Sequence, residues 1–450
     1  MDYEPNDSLG TVDLTVNLNL LDRYNIRFGV ESFQSEDVRL NANVPGVGAN
    51  LELNKRNAFK RGEQLNFNNN GSISFFRPGG DESLDVFASY GLSGEVSFPR
   101  LWGLEKRARE WENLYSPSTD LSLNIEFDRP RQFTRTSATL ELNYQWFHNF
   151  DQPRWRSVVT PVRMTIIDSE LQPGFLEDVL AVEDTSLAAF IRRDFQSRFS
   201  SFVGYSIQRS DNYANDRTRI TSFFQLGVQT GGNLAFFLDW LGKQTGFGDG
   251  SLRDGVLSGD QIYGQFYRLS AEGKVHIPLG PGSELVNRVF MGFALPWNFT
   301  TVVPFENRFF SGGPSSVRGW LTNTLGPGTF PTQRTTLTAS GGEIKFEANT
   351  ELRFDMVSFL ECALFLDAGN VWFSGKNNLD DPRTRLFGKT LSLGIAGGFG
   401  LRFDFSFVVV RLDLGQQLFD PALDQPVIQD FPSDLGGDRL QYNIAIGYPF

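Results

Sequence analysis

The sequence predicts an all-β protein, specifically a 16-stranded antiparallel β-barrel that spans a membrane. Three observations predict this fold: long segments alternate strictly between apolar and polar residues, no apolar run could form a membrane helix, and the chain closes on an aromatic strand. Of the 450 residues, 40% are hydrophobic and 14% aromatic, yet the mean hydropathy is only −0.26. No stretch approaches the roughly 20 uninterrupted apolar residues of a membrane helix.

The net charge and the cysteine content exclude some kinds of partner and of covalent cross-link. A net charge of −12 argues against nucleic acid as a partner, because phosphate neutralisation needs a basic surface. A single cysteine, Cys362, rules out an intrachain disulfide. The acidic start from Met1 to Pro5 lacks a basic stretch followed by an apolar one, so we expect a removed leader or a fragment.

The strand prediction rests on alternation with a period of two residues. Between Glu343 and Asp355, every second residue faces one side and is mostly apolar: Ile344, Phe346, Ala348, Thr350, Leu352 and Phe354. The residues between them are all polar or charged. Such patterns persist for 8 to 13 residues, whereas strands of soluble sandwiches average about 5 or 6. The length and the two-sided character favour a membrane barrel.

We predict sixteen barrel strands, an even number as in single-chain bacterial barrels. They are expected near residues 24–32, 47–57, 63–76, 83–98, 119–129, 134–147, 156–167, 199–208, 218–231, 262–278, 284–298, 340–355, 359–373, 390–404, 406–415 and 439–450. Residues 1–22 form a separate segment before the barrel of 23–450.

The last strand carries a terminal aromatic pattern. Leu440, Tyr442, Ile444, Ile446, Tyr448 and Phe450 alternate with smaller or polar residues up to the end of the chain. The pattern resembles the β-signal by which outer-membrane barrels are recognised for insertion. Gly447 and Pro449 lie in the same segment, and a proline cannot donate to a strand ladder. We therefore expect weak pairing at this end of the sheet.

One loop carries the most informative motif, the tetrad Val317, Arg318, Gly319 and Trp320. An arginine enclosed in a barrel lumen must be paired, because burying one charge alone costs several kcal/mol. Glu351 and Asp367 lie on the polar phase of neighbouring predicted strands and offer the carboxylates that Arg binds in a bidentate manner. Gly319 would allow close approach to the wall, and Trp320 would pack there.

These motifs resemble the BamA/TamA-type superfamily of outer-membrane assembly and translocation barrels. The resemblance includes the tetrad and the strand motif from Phe365 to Gly369. It extends to the segments 398–402, 410–414 and 54–63. The segments 325–329 and 133–135, with Tyr144 and Trp146, resemble most closely a TamA-like branch found in Bacteroidota.

The resemblance implies a location in the bacterial outer membrane and a long loop between strands 11 and 12 that folds into the lumen. Arg318 would meet Asp367 and Glu351 there, with Gly369 beside them. The first and last strands would form a seam that opens for clients. Residues 1–22 resemble the end of a truncated periplasmic POTRA domain with its linker.

The implied partners are membrane components and other proteins. They are outer-membrane lipids and lipopolysaccharide, client outer-membrane or surface proteins and, for a TamA-like role, a periplasm-spanning TamB-like protein. His148 and His276 are far apart in the sequence and no metal-ligand cluster or nucleophile motif is found. We therefore expect no enzyme activity, no catalytic residues, no cofactor and no metal. The alternatives are a two-partner-secretion pore that exports a dedicated polypeptide, and a passive porin.

Overall fold

The structure is a computed structural model that describes most of the chain. The described residues are 2–6, 11–15, 22–37, 42–76, 85–108, 110–111, 114–129, 133–148, 155–172, 196–211, 218–234, 236–237, 240, 264–298, 300–330, 341–375, 382–386, 392–405, 409–423, 425–426 and 439–449. Among these residues, no helix is long and apolar enough to cross a membrane.

The predicted all-β barrel of sixteen antiparallel strands is confirmed. Its strands are β3 (Tyr24–Asp37), β4 (Ala42–Arg56), β5 (Gln64–Phe76), β6 (Asp85–Phe98), β7 (Tyr115–Arg129), β8 (Phe133–Phe147), β9 (Trp155–Leu171), β10 (Arg198–Ser210), β11 (Thr221–Gly231), β12 (Phe266–Gly280), β13 (Ser283–Pro296), β14 (Ile344–Val357), β15 (Leu360–Trp372), β16 (Gly394–Asp404), β17 (Val409–Asp420) and β19 (Leu440–Ile446). The short pieces are β1 (Asp2–Asn6), β2 (Thr11–Thr15), β18 (Gln425–Pro426), α1 (Glu105–Ala108) and two 3-10 turns, Phe305–Asn307 and Pro382–Thr384.

Each barrel strand pairs with the next one along the chain, up to β17, which pairs with β19. The strand order brings β19 beside β3, so that the sheet curls into a barrel. Within the described part of the chain, no ladder of paired residues joins β19 to β3, and the sheet is not closed there. A meander of this kind has only one seam, and it lies between the first and the last strand.

The two faces of the sheet differ as the alternation predicts. In β15, Leu364 and Leu366 point outward and are half exposed, whereas Phe365 and Asp367 between them are buried. In β14, Glu347 and Glu351 are fully buried on the inner side. Apolar side chains therefore face the surroundings and charged ones face the lumen, the reverse of a soluble protein and the arrangement of a membrane barrel.

The two ends of the barrel carry connections of different length. At one end, two residues separate β12 from β13, and two separate β14 from β15. At the other end, residues 172–197, 232–265 and 297–343 join strands. Because outer-membrane barrels have short periplasmic turns and long external loops, the short-turn end is the periplasmic one.

The last strand ends earlier than the predicted range of 439–450. Regular pairing stops at Ile446, and Gly447 adopts a φ of +81°, a left-handed backbone conformation that glycine takes without strain. The chain therefore turns after Ile446, and the alternation of the sequence does not continue as a strand. Elsewhere the ladder is longer than predicted, since β17 extends to Asp420.

At the amino-terminal end, β1 and β2 form a two-stranded antiparallel sheet of their own. In it, Asp2 lies opposite Thr15 and Asn6 opposite Thr11. The assignment of residues 1–22 to the end of a POTRA domain stays a prediction.

A charged residue on the outer surface tests the membrane-facing assignment. We expect Leu366→Arg, in the middle of β15, to lower the free energy of unfolding by about 2–4 kcal/mol, because it places a cation in hydrocarbon. Leu279→Arg, beside the short turn after β12, should lower it by only about 0–1 kcal/mol. Urea unfolding in lipid bilayers measures both values. Equal losses at the two positions would contradict the assignment.

Candidate functional site

The connection between β13 and β14, the eleventh and twelfth strands of the barrel, folds into the lumen. It carries the tetrad at its tip. The tip is a compact turn in which the Gly313 amide donates to the carbonyl of Trp320 at 3.0 Å and the Ser316 amide to that of Gly313 at 3.1 Å. Gly312 and Gly313 have φ values of +99° and +109°, which other residues rarely adopt. The glycine pair therefore shapes the turn that presents Arg318.

Arg318 is completely buried and bonded through its whole guanidinium group. Its Nε and Nη2 donate to the two carboxylate oxygens of Asp367 at 2.8 and 2.9 Å, and its backbone amide donates to Asp367 Oδ2 at 3.1 Å. Its Nη1 donates to Glu351. The guanidinium carbon lies 3.5 Å from the ring centroid of Phe365, in stacking contact. The structure thus brings together the three charged residues that the sequence singled out.

The charge of Arg318 is maintained by its neighbours. Burial by itself lowers the pKa of a guanidinium group, but Asp367 and Glu351 outweigh it and raise the pKa of Arg318 above its ordinary value. The tip therefore carries a positive charge at a position that is inaccessible to solvent. Because the guanidinium group of Arg318 pairs with both oxygens of Asp367, the pairing fixes the orientation of the arginine as well as its distance from the wall.

The pairing continues as a network over the inner wall. Glu351 also accepts from Arg353 at 2.8 Å and from Arg402 at 2.9 Å. Arg402 lies 3.0 Å from Asp413, which in turn lies 3.3 Å from Arg411. These side chains come from β14, β16 and β17, so opposite charges alternate across neighbouring strands. Such an alternation compensates each buried charge locally.

The uncharged residues of the tetrad fit against the wall. A Cβ atom on Gly319 would lie 2.7 Å from Ala396 Cβ, and one on Gly369 would lie 2.8 Å from Glu347 Cγ. A side chain at either position would clash with the wall. Glycine is therefore required there because the backbone lies so close to its neighbours, and not because of its conformational freedom. Val317 and Trp320 are buried, and with Leu325 and Ala396 they form an apolar cluster.

Further carboxylates hold the loop, Glu347 close to its tip and Glu343 at its base. Glu347 accepts hydrogen bonds from Ser316 and, at 2.8 Å, from Ser311, and it pairs with Lys345 at 2.9 Å and Arg288 at 3.0 Å. Glu343 accepts the backbone amide of Val303 at 3.0 Å. All of these contacts lie on the same side of the lumen as Asp367.

Glu306 connects the loop to a different part of the wall. It accepts from Arg198 Nε of β10 at 3.0 Å, and Arg135 of β8 lies 3.8 Å away. Burial by itself raises the pKa of the Glu306 carboxyl, but the two arginines outweigh it, so the pKa lies below its ordinary value. The loop therefore bridges the lumen from β8 and β10 to β14 and β15.

The last strand touches the tip. Asn443 donates from its side-chain amide to the carbonyl of Arg318 at 3.0 Å. Tyr442 and Ile444, on the opposite phase, are exposed on the outer surface. After Gly447 the chain bends, and the Tyr448 ring lies 4.5 Å from the guanidinium of Arg353.

Two other residues of the terminal aromatic pattern remain. The backbone of Ile446 pairs with Val410, and the side chain of Ile446 is outside the described set. Phe450 lies outside the described residues.

Three residues of the site are not among those predicted from the sequence. Asn443 and Gln417 hold the carbonyls of Arg318 and Gly319, the latter at 2.8 Å. Glu306 makes the bridge to β10. Asn443 shares the inward phase of its strand, opposite Asp413, so alternation offers a signal for it. Nothing in the sequence pairs Glu306 with a strand more than 100 residues away.

The chemistry of the site is that of an ionic attachment. Among the described residues, no group of three or more His, Cys, Asp and Glu side chains is arranged to hold a metal ion. The carboxylates of the site are engaged by arginines and hydroxyls. The arrangement can hold a loop in a lumen and couple it to the wall.

An apolar outer surface, a charged lumen and a loop folded inward define the class of this protein as a transmembrane β-barrel. The Omp85 superfamily model matches residues 43–448, and the chain belongs to that superfamily. Its location is therefore the bacterial outer membrane.

Comparison with known proteins gives one curated relative and several similar structures. The chain is 30% identical over 138 residues to the outer membrane protein assembly factor BamA of Neisseria meningitidis. This match covers 30% of the chain and 17% of the relative, so it spans less than a fifth of that protein.

Among solved structures, BamA from Haemophilus ducreyi lacking POTRA domains 1–3 has a TM-score of 0.59 at 13% identity, over 99% of this chain and 74% of that one. CdiB from Escherichia coli has a TM-score of 0.54 at 14% identity, over 99% and 66%. CdiB from Acinetobacter baumannii has a TM-score of 0.52 at 14% identity, over 97% and 62%. At these identities the likeness shows the fold alone.

A double-mutant cycle tests the pairing at the tip. We expect Arg318→Ala to lower the free energy of unfolding by about 3–5 kcal/mol, and Asp367→Ala to lower it similarly, because either change leaves a buried charge without its partner. The double variant should lose less than the sum, since the two residues act as a unit.

Urea unfolding of the chain in lipid bilayers gives the four values. Arg27→Ala is the control, because Arg27 is exposed and lies 3.5 Å from Glu52; it should change stability by at most about 1 kcal/mol. Losses at positions 318 and 367 that simply add would contradict the pairing.

Proposed function

We propose that this chain is the barrel of an outer-membrane protein assembly or translocation factor, in which the seam between β3 and β19 assists the insertion or export of other envelope proteins. Membership of the Omp85 superfamily supports the class of function. The observation that carries the finer proposal is the edge of β3, which no ladder of paired residues joins to β19 within the described residues.

The seam strands differ from the rest of the wall in exposure. Along β3, the outward side chains of Tyr24, Ile26, Phe28 and Val30 are 60–72% exposed. The outward leucines in the middle of the sheet have a smaller exposed fraction, for example 52% for Leu366. The difference is expected where no neighbouring strand covers one side of the residue.

The two seam strands are also unequal in length. β3 has 14 residues and β19 has 7, so β19 could cover only half of the β3 edge even in full register. An uncovered edge presents N–H and C=O groups that a further strand can bond. The proposal is that a client strand adds to β3 in this way, with its apolar side chains facing lipid.

The tetrad loop would set the state of the seam. The bond from Asn443 to the carbonyl of Arg318 links the loop tip to the last strand, and Arg318 itself is tied to Glu351 and Asp367. In the proposal this ionic site, with Val317, Gly319, Trp320 and Gly369 packed around it, locks the loop and thereby positions β19. Tyr442 and Ile444 of β19 then face the bilayer at the seam.

The partners of the proposed function are client outer-membrane or surface proteins, together with outer-membrane lipids and lipopolysaccharide around the barrel. A TamB-like periplasmic partner belongs to the proposal only for a TamA-like role. The alternative is a polypeptide-transporting pore of the two-partner-secretion type. It would use the lumen rather than the seam, and the same loop would have to leave the lumen.

Depletion of the full-length protein in its host tests the class of function. We expect several barrel proteins and surface lipoproteins to fall in abundance together in the outer-membrane proteome. Loss of a single exported polypeptide would favour the secretion pore instead. Unchanged abundance of all of them would eliminate the assembly role, provided that plasmid-borne protein restores any growth defect.

Site-specific photo-crosslinking tests the seam. A benzoylphenylalanine residue at Phe28 of β3 should form adducts with newly made barrel proteins, because the client strand is proposed to pair there. The same residue at Leu269 of β12 is the control, since that side chain is also exposed on the outer surface but lies far from the seam. Equal adduct yields at the two positions would argue against the seam.

A further inference from the structure

The connection between β6 and β7 lies at the short-turn end, and its described residues 99–108 and 110–111 fold outward over the barrel wall. Thr119 of β7 lies in the outward phase of its strand, opposite Phe98 and Tyr144, yet it is completely buried. Its hydroxyl donates to the carbonyl of Arg100 at 2.8 Å and accepts the amide of Trp102 at 2.9 Å. The segment therefore lies on the lipid-facing side of the wall, at its periplasmic edge.

Two tryptophans are anchored on this outer side. Trp102 stacks on Phe98 with ring centroids 5.1 Å apart, and its carbonyl accepts the hydroxyl of Tyr144 at 3.0 Å. Trp111 lies 6.3 Å from Trp146 of β8. Both remain nearly half exposed. Amphipathic rings at the end of a spanning strand are the side chains that settle at the level of lipid headgroups.

Exposed cations lie between and beside the tryptophans. Lys106 and Arg107 of α1 are exposed, as are Lys60 and Arg61 on the neighbouring turn between β4 and β5. No carboxylate of the described residues pairs with any of these four. Nearby, Glu105 lies 3.6 Å from Arg100, and Glu110 is exposed. In a chain of net charge −12, this local excess of positive charge is unusual.

The neighbouring turn is attached to the segment and held in one shape. The buried Glu63 accepts Arg100 Nη2 at 2.8 Å and the backbone amide of Arg61 at 2.9 Å. The Gly62 amide donates to the side chain of Asn57 at 3.0 Å. The exposed Phe59, 60% accessible, projects from the same turn as Lys60 and Arg61. The two connections thus form one continuous surface with aromatic and basic residues side by side.

We propose that this surface, made of residues 59–61, 98–108 and 110–111, binds the headgroups of anionic phospholipids in the periplasmic leaflet. Phe59, Trp102 and Trp111 enter the interfacial layer, and Lys60, Arg61, Lys106 and Arg107 pair with lipid phosphates. Charge complementarity selects an anionic lipid over a zwitterionic one. The surface is separate from the tetrad loop and lies at the strand ends of the first half of the barrel, so it would hold that half at a fixed depth while the seam moves.

The test measures lipid retention by the full chain in neutral detergent, by native mass spectrometry with added phosphatidylglycerol or phosphatidylcholine. Wild type should retain phosphatidylglycerol more tightly. The double variant Lys106→Gln/Arg107→Gln should bind it about 25-fold more weakly, since each cation near a membrane surface contributes roughly a factor of five. The control Arg27→Gln/Arg129→Gln removes two exposed cations elsewhere and should bind as wild type does.

Three outcomes would overturn the proposal. The first is equal retention of the two lipids by wild type, and the second is an equal loss in the test and control variants. The third is displacement of phosphatidylglycerol by inorganic phosphate at matched concentration, which would make the surface a phosphate site rather than a lipid site. Heat-modifiable migration of each folded variant on a gel confirms that the barrel is intact before lipid is added.

Discussion

The structure depends on one requirement, the compensation of a buried arginine. Arg318 is brought by a loop into a lumen where it is inaccessible to solvent, and its charge can persist there only with carboxylates in bonding geometry. Asp367 and Glu351 supply them, and Arg402, Arg353 and Asp413 extend the network over three strands. The loop is held in the lumen because, if Arg318 left Asp367 and Glu351, several buried charges would lose their partners at once.

The barrel wall makes this compensation possible because its apolar side chains face outward and its charged side chains face inward, the reverse of a soluble protein. Strand alternation sends apolar residues outward to lipid, so that the inner face is free to carry charge without losing stability in the membrane. The same alternation places Asn349, Asp367 and Ala396 side by side across neighbouring strands. This paired row fixes the loop tip, whereas no ladder of the described residues joins β3 to β19. The proposed function uses this contrast between a firm site and a weak seam.

Much of this architecture follows from local pattern, and some of it does not. Alternation predicts sixteen strands and the inward phase of Glu351 and Asp367, because the side-chain period of a strand is fixed. The end of β19 was mispredicted, because the turn at Gly447 is set by the backbone and by the contact of Tyr448 with Arg353. The bridge from Glu306 to Arg198 depends on the three-dimensional path of a long loop, which no period encodes.

Hydrogen exchange of the loop amides tests most directly whether the ionic site holds the loop. The measurement compares residues 308–325 in wild type and in Asp367→Asn, which removes the charge while keeping the shape of the side chain. We expect slow exchange in wild type and exchange at least about tenfold faster in the variant, since a charge-assisted bidentate pair contributes more than the ~1.4 kcal/mol that equals a factor of ten. Strands β14 and β15 should remain protected in both. Unchanged slow exchange of the loop in Asp367→Asn would contradict the account.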